Sequence, residues 1–89
     1  MSLFSLGQVV STPGALSVCK NYNINPLQLI ARHANGDWGD LGQEDIQANT
    51  DAIAYGGRIF SSYKVGDEKL YLITEHDFSS TTLLRADEY

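Results

Sequence analysis

One cysteine, two prolines and six basic residues are all this 89-residue chain holds of three structural currencies, and each shortage excludes something. A lone Cys19 cannot form an internal disulfide, so the chain reads as a protein of a reducing, cytoplasmic setting, with Cys19 as a small buried hydrophobe. Six Lys and Arg against eleven Asp and Glu leave a net charge of −5. That balance argues against direct nucleic-acid binding, which needs a basic footprint, and against docking on anionic lipid. No apolar run approaches the ~20 residues of a membrane span. The opening Met1-Ser2-Leu3-Phe4-Ser5-Leu6 has no basic region and no secretory core. Phosphate loops, dinucleotide fingerprints and Cys-x-x-Cys pairs are missing, so no cofactor is expected.

What is present suffices for one domain, 1–89, with 43% apolar residues and a thin core. A first strand is expected over 3–11, closed by Val9 and Val10. Thr12 followed by Pro13 predicts a helix start, with Ala15, Leu16, Val18 and Cys19 on its inner side to about Asn21. Asn25-Pro26 repeats that signal, and Ile24 with Leu29 matches a hydrophobic staple; Asn35-Gly36 stops this second helix. A third helix spans 43–55, with Ile46, Asn49 and Ile53 on one face and Gly56-Gly57 beyond it. Strands follow over 58–65 and 69–75, joined at Gly66. The run Leu70-Tyr71-Leu72-Ile73 is apolar on both faces and is placed centrally. Thr81 to Arg85 reads as a last edge strand. The expected architecture is α+β: a small antiparallel sheet of three to four strands, with about three helices packed on one face.

Two stretches bear chemistry. In His33-Ala34-Asn35-Gly36-Asp37-Trp38-Gly39-Asp40, two Gly-Asp steps bracket the sole tryptophan. Either Trp38 and its carboxylates face a partner, or Trp38 plugs the core while Asp37 and Asp40 cap turns. The second stretch, Glu75-His76-Asp77, follows the central strand. With His33 it forms an alternative polar cluster for a small metal-dependent hydrolase or nuclease-type enzyme. No pair of these residues has the spacing of a zinc or calcium motif, so no metal is expected. The hydroxyls of Ser79, Ser80, Thr81 and Thr82 lie near His76 in sequence, but nothing localises an orienting acid or an oxyanion hole. Asn49 either bonds a backbone across the core or lines a cleft; the first reading is preferred.

Charge is placed unevenly. Between Arg32 and Arg58 there is no Lys or Arg, while Asp37, Asp40, Glu44, Asp45 and Asp51 all fall there. The third helix and the loop before it therefore form a region of one sign. It is either a solvated helix face or an anionic docking face for a basic protein. In the docking reading the partner-binding residues are Asp37, Trp38, Asp40, Glu44, Asp45 and Asp51.

Blocks spread over nearly the whole chain carry a resemblance: Thr12-Pro13-Gly14-Ala15-Leu16, Arg32-His33, Gly36-Asp37-Trp38-Gly39-Asp40, Glu44-Asp45 and Asn49. Later come Gly57-Arg58-Ile59, Ser62-Tyr63, Ile73-Thr74-Glu75 with Asp77, Thr81-Thr82, and Glu88-Tyr89. Together they resemble a family of short plasmid-related proteins carried by bacterial plasmids, phages and integrated elements. One departure is Asp77-Phe78-Ser79, where the family pattern has Asp-Arg-Ser. The resemblance implies a mobile-element setting and no particular reaction. The expected function is a small, acidic, non-enzymatic binding protein that docks on a host or element protein.

Overall fold

The computed structural model describes residues 2–89. The elements run β1 (Gln8–Ser11), α1 (Pro13–Asn21), α2 (Pro26–Ala34), α3 (Gln43–Tyr55), β2 (Ile59–Val65), β3 (Glu68–Thr74) and β4 (Ser80–Arg85), closed by a 3-10 turn at Ala86–Glu88. The fold is α+β, three helices against one four-stranded sheet. The local signals act as their chemistry requires. Thr12 Oγ1 accepts from the Ala15 N–H at 3.1 Å and Asn25 Oδ1 from the Leu27 N–H at 3.0 Å, each just ahead of a first-turn proline. The β2–β3 hairpin turns on Gly66 at φ +60, where a Cβ would enter the ring of Tyr22.

The sheet order is β1-β4-β3-β2, and the sheet is mixed. β2, β3 and β4 pair antiparallel, while β1 runs parallel to β4 with Val9 opposite Thr81 and Ser11 opposite Leu83. This corrects two details. One pair is parallel: β1 and β4, joined through all the intervening elements, lie side by side and run in the same direction. Thr81–Arg85 is an interior strand, with Thr81 and Leu83 fully buried, and β1 takes the edge instead. β1 is also shorter than the 3–11 expected, since Phe4 leaves the strand path to enter the core.

The helix-bearing face of the sheet presents Ile59, Ser61, Tyr63 and Val65 from β2, with Leu70 and Leu72 from β3 and Leu83 from β4. Ala15, Val18 and Cys19 of α1 and Leu29 of α2 pack on it; Leu16 faces outward and is 46% exposed. Each large aliphatic buried there contributes ~1.5–3 kcal/mol. A second cluster joins Phe4, Trp38, Ala52 and Ile59, flanked by half-buried Ile46 and Ile53. It seats α3 beside β2. The opposite face carries no helix. Phe60 meets Tyr71 there edge-on at 4.7 Å, and Tyr89 from the C-terminal end lies 5.9 Å from Tyr71.

Candidate functional site

α3 is fixed by one side chain. Asn49 is buried and spans the outer edge of β2: its Nδ2 donates to the Phe60 carbonyl at 2.7 Å, and its Oδ1 accepts from the Phe60 N–H at 2.9 Å. A carboxamide thus stands in for a neighbouring strand. With Asn49 and Ala52 turned inward, Glu44, Asp45 and Asp51 point to solvent, and Asp40 is exposed in the loop before the helix. Glu44 and Asp45 lie in the first turn, where the helix dipole favours acids. Among the described residues the ion pairs use Asp37, Glu68, Glu75 and Asp87; Asp40, Glu44, Asp45 and Asp51 have no cationic partner. Asp45 also borders a recess of ≈ 230 Å³ with Arg58, Phe60, Ile73 and Tyr89, on the face without helices. Sequence reasoning missed Phe60 and Tyr89 as neighbours of the acidic helix. The alternation of β2 puts Phe60 opposite Ile59 and Tyr63 and was the available signal.

The remaining residues of the Gly-Asp-Trp stretch are bound into the fold. Trp38 is 9% exposed, stacked on Phe4 and edge-on to His33. Its carbonyl accepts from Ser62 N–H at 3.0 Å and Asp40 N–H donates to the Ser62 carbonyl at 2.6 Å, so the loop continues the closure of β2 that Asn49 begins. Gly39 adopts φ +72 there, and a Cβ would strike the Ser62 carbonyl. Asp37 is held by Arg32 at 2.7 Å, and that hydrogen bond keeps its carboxyl below the usual range. Arg32 lies 4.5 Å above the ring of Tyr63, whose hydroxyl donates to the Asp37 carbonyl at 2.7 Å.

The polar cluster does not converge. His33 is fully buried; Glu75 pairs with Arg58 at 3.5 Å, and His76 and Asp77 sit exposed in the turn after β3. Asp77 caps that turn, and hydrogen bonds from Ser79 lower its pKa. Among the described residues no three His, Cys, Asp or Glu side chains form a group able to hold a metal.

His33 belongs to a different network, whose polarity can be worked out from its end. Thr81 Oγ1 must donate to the Leu6 carbonyl at 2.7 Å, because a carbonyl only accepts. Thr74 must then donate to Thr81 at 2.7 Å, and His33 Nε2–H to Thr74 at 2.9 Å. His33 Nδ1 is left to accept from Ser61 Oγ. The ring is a neutral Nε2–H tautomer with both nitrogens engaged, and burial lowers its pKa to about 4. Ser61 and His33 thus resemble a nucleophile and base, but the third member is a threonine and all are sealed from solvent. Ser61 shared the inner parity of Ile59 and Tyr63, which was the sequence signal for it. No known protein family, curated protein or solved structure matches the chain.

Proposed function

We propose that this chain is a protein-binding module without chemistry of its own, docking through α3 and the adjoining recess on a basic protein surface. One observation carries the reading: four carboxylates, Asp40, Glu44, Asp45 and Asp51, stand without cationic partners on an element clamped rigidly to the sheet. Fixed charge of one sign accelerates encounter with an oppositely charged surface, and the adjacent Phe60, Ile73 and Tyr89 offer an apolar anchor site. Trp38 packs with Ala52 beneath α3, and Asp37 lies exposed in the preceding loop, paired with Arg32. The mobile-element setting, a cytoplasmic location and a host or element protein as partner rest on the sequence resemblance and composition. No described helix is long and apolar enough to cross a membrane.

The test is capture of partners from host lysate with the wild-type protein and with a Glu44→Gln, Asp45→Asn, Asp51→Asn triple variant, followed by association kinetics at two ionic strengths. The proposal expects slower, less salt-dependent association for the triple variant. Equal rates for both proteins would return the acidic face to a solvated helix surface. A hydrolase or nuclease would draw on His33, Glu75, His76 and Asp77, and it gains little support, since both His33 nitrogens are committed to Thr74 and Ser61.

A further inference from the structure

The outer edge of β1 is open, and its hydrogen-bonding parity follows from its ends. Gln8 N–H donates to Ser79 and Thr12 N–H to Leu83, each at 3.0 Å, so even-numbered residues bond β4. The N–H and C=O groups of Val9 and Ser11 therefore point away from the sheet, and no described residue pairs with them. The strand is short, at four residues, but carries no charge, proline or bulge to guard its edge. Val9 and Val10 are 42% and 41% exposed. Residues 2–19 contain no charged side chain at all, in a chain of net charge −5. A second copy is repelled by most of this surface and meets no like charge along β1.

We propose that β1 pairs antiparallel with β1 of a second copy of this chain about a two-fold axis at Val10. The register is self-complementary. Val9 of each protomer would exchange both backbone bonds with Ser11 of its partner, and the two Val10 residues would form the non-hydrogen-bonded pair on the axis. The two sheets become one. Their helix-free faces, each bearing Phe60, Tyr71 and Tyr89, become continuous. The acidic helices sit at the far β2 edges, so pairing leaves them free.

Cysteine cross-linking tests the register. Residues in a non-hydrogen-bonded antiparallel pair have Cα atoms ~4.5 Å apart, within disulfide reach. Val10→Cys is expected to oxidise to a covalent dimer at least about tenfold faster than Val9→Cys, whose counterpart is Ser11; buried Cys19 does not compete. Sedimentation equilibrium of the unmodified chain should show mass rising towards twice the monomer with concentration. Val10→Lys, placing like charges on the axis, should raise the dissociation constant about tenfold or more with unchanged circular dichroism. Three results would overturn the proposal: a monomer up to about 1 mM, including the case in which β1 accepts a strand of another protein instead; a dimer indifferent to Val10→Lys; or equal cross-linking at positions 9 and 10.

Discussion

β2 and β1 bound the same sheet and pose the same problem, a row of backbone donors and acceptors with no strand beyond them. At β2 the chain solves it with three devices: the Asn49 amide on Phe60, the Trp38 carbonyl on the Ser62 N–H and the Asp40 N–H on the Ser62 carbonyl. At β1 no described residue pairs with the outward N–H and C=O groups of Val9 and Ser11. The closed edge carries the acids without cationic partners, and the open edge is neutral. An open edge is a hazard unless it is used, and this contrast is what the two proposals rest on, partner docking at one end of the molecule and self-pairing at the other.

The largest expected effect comes from removing the plug beneath the closed edge. Trp38→Ala should cost ~3–5 kcal/mol in urea unfolding, as truncation of a buried aromatic does. An unchanged midpoint would mean that the loop closes β2 without Trp38. Acid should act next. His33 titrates near 4 in the fold because it is buried, against an ordinary value near 6.5. Its unfolded form therefore takes up a proton first. The His33 contribution should be constant above about pH 6.5, fall by a total of about 3 kcal/mol as pH drops towards 4, and level below it, where protonation of the lowered Asp37 and Asp77 carboxyls adds a further loss. Because the network ends on the Leu6 carbonyl just before β1, the loss should loosen the open edge; His33→Phe should flatten the pH profile.

Smaller again is Asn49→Ala, expected to cost about 2 kcal/mol by leaving the Phe60 N–H and C=O unpaired. It should also create a second open edge, visible as concentration-dependent aggregation that Val10→Lys does not cure. Least of all, the Glu44→Gln, Asp45→Asn, Asp51→Asn variant should change stability by less than about 0.5 kcal/mol per site, since these groups touch no cation. A large loss would show that α3 needs its acids to stay at the closed edge.

Much of the frame was legible because it is local. Caps at Thr12 and Asn25, the glycine turn at Gly66 and the apolar run at Leu70–Ile73 act within a few residues of themselves, and each stands where its chemistry puts it. The structural role of Asn49 was readable from its position between Ile46 and Ile53. The strand beside β1 was not, because the pairing of Val9 with Thr81 depends on the path of everything between them. The same distance hid the His33 network, whose members come from α2, β2, β3 and β4. At the candidate site, the one-sign charge of α3 could be read directly. The closeness of Phe60 and Tyr89 to Asp45 could not, since it needs the helix laid along the sheet edge and the C-terminal end folded back.

Backbone amide exchange, followed by NMR at increasing protein concentration, tests the unlike edges most directly. The amides of Phe60 and Ser62 should exchange slowly at every concentration, and so should Val10, which bonds β4. Those of Val9 and Ser11 should exchange fast in dilute solution and slow down as concentration rises. Fast exchange at Phe60 and Ser62, or slow exchange at Val9 and Ser11 in dilute solution, would contradict the account.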